Sequence, residues 1–167
     1  ATSFAEPVQA PDLRLVIVTI DGHQKTISSR EAMRLSRETS PFYPAWIAAT
    51  QRSLTQMVEA CANADVPRIG QITESHALRM HAVIASCTPP VRYLAPASVA
   101  VFDAAAALRT DGIHAYATAD AGPNVCILTT PDEAALVAEA VRDLGEVRVV
   151  GPGPGARLVA DPEAEDM

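Results

Sequence analysis

Apolar positions follow two different periods along this chain, and the change of period predicts which segments are strands and which are helices. Leu13–Ile20 is a continuous run of β-branched and apolar residues that ends at Asp-Gly, which is typical of a buried strand followed by a turn. Helical spacing then extends to about residue 110, after which Ile113–Ala119, Val125–Thr129 and Glu146–Val150 are strand-like again. The pattern predicts an α+β domain in which helices cover an antiparallel sheet of four to five strands.

Helix boundaries are marked by capping residues and prolines. Ser28 and Glu31 form the pattern of a capping box, so a helix is predicted to begin near Ser29. Two further starts are marked by Ser40, just before a proline, and by Asp65, two residues before one, and the pair Pro89-Pro90 ends the third helix. Thr130 opens a last helix, because a cap, a proline and two acids stand in its first turn. The other predicted helices are Phe42–Ala62, Asp65–Ser86 and Ala95–Leu108.

Composition narrows the function classes. About 49% of the 167 residues are hydrophobic, which is enough for one sizeable core, and the net charge is −7. This acidic balance argues against a nucleic-acid-binding surface and against a polybasic membrane patch, and no apolar run is long enough to span a membrane. The three cysteines contain no CxxC pair and the N-terminus lacks a signal-peptide pattern, so we expect a cytoplasmic protein with buried free thiols.

Asp120 lies between the two late strands, in the segment Thr118–Asn124. Aspartate is a common turn former, so a simple hairpin turn would explain its presence. The segment is nevertheless longer than a two-residue hairpin turn, and it places a carboxylate at the end of a buried strand. Partial removal from water there would suit a general base that acts on an alcohol. Both interpretations are open at this point.

Ser28, Ser29 and Arg30 form a second candidate site. Two hydroxyls and a guanidinium at a helix start, together with the backbone N–H groups and the helix dipole, suit an oxyanion or a phosphate group. The alternative is an ordinary helix cap followed by an exposed arginine.

The third predicted helix contains two histidines that do not form a metal site. His76 and His81 are five residues apart, so they lie on different faces of the helix, and the i, i+4 spacing of a zinc site is absent. Glu74, Leu78 and His81 share one stripe, which suits packing or a hydrogen-bonded buried histidine. The glycine-rich segment Gly151–Gly155 lacks the Lys-Ser/Thr of a phosphate-binding loop.

Six motifs follow one another in an order that is highly specific as a set. They are FAEPV at Phe4–Val8, SSREAM at Ser28–Met33, ETSPFYPAW at Glu38–Trp46, ALRMHA at Ala77–Ala82, PPVRYL at Pro89–Leu94 and DAGPNV at Asp120–Val125. Over roughly residues 4–159 they resemble the C-terminal part of the diphosphomevalonate decarboxylase family, which belongs to the GHMP kinase superfamily. The resemblance implies the fold of a GHMP kinase C-terminal domain, an α+β fold of the ferredoxin-like type.

The resemblance also implies a reaction and its residues. Members of the family convert mevalonate 5-diphosphate to isopentenyl diphosphate with ATP and Mg²⁺; the 3-hydroxyl is phosphorylated first, and phosphate and CO₂ then leave. The aspartate of the DAGPN motif, here Asp120, is expected to contact that hydroxyl. The serine–arginine pair, here Ser29 and Arg30 after Ser28, is expected to bind the substrate. His76 and Ala32 depart from the asparagine and glycine usual in relatives, and neither change touches this chemistry directly.

The family's ATP-binding half has no counterpart in these 167 residues. We therefore expect residues 1–12 to be a connection from a missing N-terminal domain, residues 13–160 to be the C-terminal domain and residues 161–167 to be an acidic tail. Most contacts to ATP and Mg²⁺ would come from the missing half, the chain alone would be inactive, and the protein would be a homodimer. The alternatives are a phosphomevalonate decarboxylase or mevalonate 3-kinase of the same family, or a non-catalytic module that binds an anionic metabolite or mediates dimerisation.

Overall fold

The computed structural model describes residues 7–20 and 27–153, and in them a four-stranded antiparallel sheet is covered by five α-helices. The order of strands across the sheet is β2-β3-β1-β4, so the first strand of the chain is central. This arrangement confirms the predicted α+β class. The strands are β1 (Arg14–Thr19), β2 (Tyr116–Thr118), β3 (Val125–Thr129) and β4 (Glu146–Val150), and the helices are α1 (Ser29–Thr39), α2 (Tyr43–Ala62), α3 (Val66–Ala85), α4 (Pro96–Thr110) and α5 (Ala134–Ala140).

The main core lies between one face of the sheet and helices α4 and α5. Val16 pairs with Ile127 on β3 and with Val149 on β4, and because strand residues alternate between faces, Val16 and Val18 point to the same side. Val16, Val18 and Ile127 are fully buried there. Small side chains of α4, such as the fully buried Ala105, let the helix approach the sheet closely.

The opposite face of the sheet is covered in part by the antiparallel pair α2 and α3. Ile69 and Ile72 of α3 are buried in a separate cluster that reaches Leu128 of β3. At Gly70 an added Cβ would lie 2.0 Å from Cδ2 of Tyr116, so the helix backbone packs directly on that ring. This close approach fixes α3 against β2 and thereby sets the position of everything α3 carries.

The predicted caps are confirmed at α1 and α3 and wrong at α2 and α5. The Ser28 hydroxyl accepts a hydrogen bond from the Glu31 N–H at 3.2 Å, and Asp65 accepts one from the N–H of Arg68 at 3.0 Å.

The two wrong caps are Ser40 and Thr130. Helix α2 begins at Tyr43, with Phe42 as its N-cap. The Ser40 hydroxyl accepts from the Phe42 N–H at 3.3 Å, before the helix, and lies 2.6 Å from the Ser86 hydroxyl, so it links the ends of α1 and α3. Helix α5 begins only at Ala134, and none of the described side chains caps it.

Other differences are local. The strand predicted over Ile113–Ala119 is shortened to β2, and the helix predicted from Thr130 begins at Ala134. Of the three free cysteines, Cys87 is buried, but Cys61 and Cys126 are only partly buried, so that prediction was wrong for two of them.

Some predictions lie outside the described residues: the last strand over Ala156–Val159, the acidic tail over 161–167 and the start of the FAEPV motif. Among the helices described, none is both long and apolar enough to cross a membrane.

Candidate active site at the end of the β2–β3 hairpin

The loop between β2 and β3 is held by two side chains and one backbone N–H from other parts of the chain. The Ser98 hydroxyl, at the start of α4, donates to the carbonyl oxygen of Pro123 at 2.5 Å. The N–H of Ile20, just after β1, donates to Oδ1 of Asn124 at 2.8 Å. His81 of α3 lies 3.3 Å from the carbonyl oxygen of Ala119 through its Nε2 atom. A plain turn needs no such support, so the loop geometry favours a functional loop over a simple hairpin connection.

Asp120 is the second residue of this loop, and it lines a large cavity. The residue is exposed, so the described residues do not bury its carboxylate as the sequence analysis expected. Its backbone oxygen accepts a hydrogen bond from Gly122 N–H at 2.8 Å, which closes the turn. The backbone of Asp120 is therefore held by the turn, and its side chain stays accessible to a ligand.

The cavity has a volume of about 830 Å³ and lies between the α2–α3 pair and the sheet. Its walls are mostly apolar, which is typical of a small-molecule site with a few placed polar groups. The polar groups gather at two ends, one around Asp120 and one around His76 on α3. The described residues that line it are Thr50, Ser53, Leu54, Met57, Ile72, Thr73, His76, Ala77, Met80, Thr118, Ala119, Asp120, Asn124 and Cys126.

The second polar end is built by α2 and α3. Nε2 of His76 lies 3.2 Å from the Thr50 hydroxyl, and the Trp46 ring lies 6.2 Å from the imidazole. Arg79 donates to the buried Ser53 hydroxyl at 3.4 Å. Thus His76 contributes a polar group to the cavity.

Glu74 and His81 explain the polar stripe predicted on α3. Glu74 accepts a hydrogen bond from the Ala117 N–H at 2.9 Å, and His81 contacts the Ala119 carbonyl, so both side chains bind the backbone of the β2 segment. The prediction of a hydrogen-bonded buried histidine is confirmed, since His81 is 8% exposed. Leu78, placed on the same stripe, is 45% exposed and is not part of this packing.

Ser28, Ser29 and Arg30 form the exposed start of α1. The described residues that line the cavity do not include them. Among the residues described, no carboxylate pairs with Arg30, so its guanidinium is available to an anionic ligand. That these three residues bind the same substrate as Asp120 stays a prediction.

A small apolar cluster joins the start of α1 to the cavity. The Tyr93 hydroxyl donates to the carbonyl oxygens of Ile27 and Ser28, at 3.1 and 3.2 Å. Tyr93 and Ile27 pack with Met80 against the buried Ala32, and Met80 also lines the cavity. Met80 is therefore shared by this cluster and by the cavity that Asp120 borders.

Cys126 of β3 is a cavity residue that the sequence analysis did not single out. It lies opposite Thr118 in the hairpin and lines the cavity beside Asp120. Burial raises the pKa of its thiol, and the negative charge of Asp120 raises it further. The signal in the sequence was available, because Cys126 and Thr118 face the same side of a predicted hairpin.

The chain matches a family model described as the mevalonate 5-diphosphate decarboxylase C-terminal domain, over residues 15–149. It is 31% identical to the diphosphomevalonate decarboxylase of Homo sapiens over 136 residues, which are 78% of this chain and 34% of that protein. It is 28% identical to a phosphomevalonate decarboxylase of Haloferax volcanii, over 92% of this chain and 47% of that one. The chain thus spans between a third and a half of the curated relatives it matches.

Solved structures agree with these matches. A mevalonate pyrophosphate decarboxylase from Streptococcus pyogenes superposes with a TM-score of 0.85 and 29% identity, covering 91% of this chain and 48% of that one. A complex of MDDEF with MVAPP, AMPPCP and magnesium superposes with a TM-score of 0.81 and 32% identity, covering 86% and 45%. Sequence and fold therefore point to one family.

Proposed function

Since this chain belongs to the mevalonate 5-diphosphate decarboxylase C-terminal domain family, we propose that it forms the part of an ATP-dependent decarboxylase that orients the 3-hydroxyl of mevalonate 5-diphosphate. The observation that carries the proposal is the position of Asp120 at the edge of the 830 Å³ cavity, on a loop held by His81, Ser98 and the Ile20 N–H. A carboxylate placed there can accept a hydrogen bond from an alcohol that enters the cavity.

Asp120 is assigned the role of base and orienting group. A tertiary alcohol is a weak and crowded nucleophile, and a carboxylate hydrogen-bonded to it directs its lone pair and takes its proton as the oxygen becomes phosphorylated. Such general base catalysis contributes about 10²–10⁴ in rate. The loop bonds matter because the carboxylate must hold one direction without reorganising during the reaction.

Ser29 and Arg30 are assigned to the anionic groups of the substrate. Arg30 offers a guanidinium with no carboxylate partner among the described residues, which suits bidentate binding of a carboxylate or phosphate. Ser29 is the first residue of α1, where N–H groups and the helix dipole favour an anion. The Ser28 oxygen already caps α1, so Ser28 contributes chiefly by fixing this helix start.

ATP and Mg²⁺ are proposed to be held mainly by protein outside this chain. Within residues 7–20 and 27–153, no group of three or more His, Cys, Asp or Glu side chains is arranged to hold a metal ion. The donor set described here therefore does not fit a dedicated Mg²⁺ site, and no step is assigned to that ion. When ATP is bound, it supplies the phosphoryl group that turns the 3-hydroxyl into a leaving group, after which phosphate and CO₂ depart.

We further propose that the complete enzyme is a cytoplasmic homodimer and that the 167-residue chain alone has no turnover. Helix α2 leaves Ile47, Leu54 and Val58 exposed, with 65% of Leu54 accessible, and these residues follow one another on the helix at spacings of seven and four. An apolar stripe of this kind supports association with further protein.

The test is turnover by this chain when it is joined to the N-terminal half of a curated relative. We expect the joined protein to release CO₂ from mevalonate 5-diphosphate faster than from mevalonate 5-phosphate, and Asp120→Asn to lower kcat at least 100-fold. Asp111→Asn, which changes an exposed aspartate at the end of α4, is the matched control and should leave kcat unchanged. Near-full activity of Asp120→Asn would refute the assignment, and a preference for the monophosphate would transfer the proposal to a phosphomevalonate decarboxylase.

A further inference from the structure

The contact between His81 and the Ala119 carbonyl defines the state of the imidazole. The separation from Nε2 to the oxygen is 3.3 Å, and the His81 residue is 8% exposed. A carbonyl oxygen can only accept a hydrogen bond, so the ring hydrogen must be on Nε2. Burial lowers the pKa of His81, against weaker opposite effects of this hydrogen bond and of the Asp120 charge. The ring is thus neutral near pH 7, with Nε2 as its donor.

The oxygen that His81 contacts belongs to the peptide group that joins Ala119 to Asp120. Because a peptide group is planar, holding its oxygen also fixes the direction in which the Asp120 Cα enters the loop. Ser98 and Ile20 hold the far end of the loop, at Pro123 and Asn124. His81 is therefore the side chain that holds the end nearest the carboxylate.

We propose that His81 is a positioning residue, which fixes the Asp120 carboxylate at the cavity edge by donating its Nε2 hydrogen to the carbonyl oxygen of Ala119. The catalytic meaning of this inference rests on the proposed function, whereas the geometric part concerns only where the carboxylate is held. A residue that merely filled space in the core would stabilise the fold without controlling the position of that one charge.

Cys126 provides a reporter of that position within the chain itself. Its thiol lines the same cavity, and its pKa is raised by burial and then by the charge of Asp120. If the carboxylate moves away, the second effect is lost and the thiol pKa falls. The thiol pKa of Cys126 thus measures the nearness of Asp120 without any enzymatic turnover.

The experiment measures this pKa in the 167-residue chain, from the pH dependence of iodoacetamide alkylation resolved by mass spectrometry at Cys126. Asp120→Asn should lower the thiol pKa. His81→Leu, which removes the donor, should lower it in the same direction, and His81→Gln, which can still donate, should stay near the unmodified chain. In the Asp120→Asn background, His81→Leu should change nothing further, because the charge it positions is absent.

Equal pKa shifts from His81→Leu in both backgrounds would overturn the proposal, since they would reveal a change of packing alone. If circular dichroism shows that His81→Leu does not fold, the ¹⁵N chemical shifts of the His81 imidazole in the unmodified chain show which ring nitrogen carries the hydrogen. Hydrogen on Nε2 supports the proposal, and hydrogen on Nδ1 contradicts it.

In the joined, active enzyme, His81→Leu should lower kcat about tenfold, which corresponds to the loss of about one hydrogen bond, while KM stays within threefold. If the joined enzyme has no turnover, while the Cys126 thiol pKa still responds to His81→Leu only when Asp120 is present, the proposed function is rejected and the positioning role is kept.

Discussion

Both carboxylate oxygens of Glu74 accept hydrogen bonds from the guanidinium of Arg109, at 2.8 and 2.9 Å. One of these oxygens also accepts from the Ala117 N–H at 2.9 Å, and Arg109 donates to the Ala115 carbonyl at 2.6 Å. The pair therefore joins α3, the end of α4 and the strand that leads to Asp120. Its two side chains are 17% and 27% exposed, so it is a partly buried ion pair with several hydrogen bonds to each partner.

Replacing Glu74 by alanine is expected to destabilise the fold by about 3 kcal/mol, because a partly buried guanidinium and the Ala117 N–H would lose their acceptor. Urea unfolding monitored by circular dichroism measures this. Glu59→Ala on the exposed side of α2 is the control and should stay within about 0.5 kcal/mol of the unmodified chain. Similar losses in the two variants would show that the pair has no special structural role.

Gly70→Ala is expected to destabilise the chain by about 1–3 kcal/mol, although alanine favours helices over glycine. The new Cβ would lie 2.0 Å from Cδ2 of Tyr116, and that ring is 6% exposed, so it has little room to move. Thermal unfolding of Gly70→Ala and of the unmodified chain measures this loss of stability. In a Tyr116→Leu background the same substitution should cost much less, and an unchanged cost there would place the strain elsewhere.

Ser98→Ala should loosen the Asp120 loop. Its hydroxyl is fully buried, donates to the Pro123 carbonyl and accepts from the Ala95 N–H at 3.0 Å, so the substitution leaves two backbone groups without their partner. We expect a loss of about 1–3 kcal/mol in stability and faster amide exchange in the loop, measured by hydrogen–deuterium exchange. Ser75→Ala, whose hydroxyl only contacts a carbonyl within α3, is the control; equal exchange rates in both variants would contradict the assignment.

Stability should fall with acid through Glu133. Burial raises the pKa of this carboxyl, but hydrogen bonds from Thr130 and His114 outweigh burial and hold the pKa below 4.5. A carboxyl with a depressed pKa in the folded state stabilises the protein above its unfolded pKa and loses that contribution as pH falls through the folded value. The stability difference between the unmodified chain and Glu133→Gln should therefore be constant above about pH 5.5 and shrink below pH 4.5. Urea unfolding between pH 3 and 7 measures it, and a difference independent of pH would refute this role.

Local signals predicted much of the fold. Strands β3 and β4 have the predicted bounds, and Asp65 caps α3, because alternation and capping act over a few residues. The start of α2 differs by one residue from the prediction, and the contact of the Ser40 hydroxyl with Ser86, 46 residues away, is one that no local pattern encodes. The predicted strand over Ile113–Ala119 is shortened for a similar reason: Tyr116–Thr118 alone pair with β3.

The candidate site was only partly predictable. Asp120 and the segment Ser28–Arg30 were identified from the motifs that contain them. The buried His81 was predicted because it shares one face of α3 with Glu74. The cavity depends on how far α2 and α3 stand from the sheet, and the bond from His81 to Ala119 spans 38 residues, so both follow from tertiary packing. The reaction was inferred from the likeness to known decarboxylases, because residue patterns alone do not identify it.

Single-turnover rapid quench with the joined enzyme, saturated with ATP, Mg²⁺ and mevalonate 5-diphosphate, tests most directly whether the Asp120 carboxylate acts on the 3-hydroxyl. We expect the substrate Kd of Asp120→Asn to stay within threefold of that of the unmodified enzyme, and its 3-phosphorylated intermediate to form at least 100-fold more slowly. An unchanged rate of that step in Asp120→Asn would show that the carboxylate does not act on the alcohol.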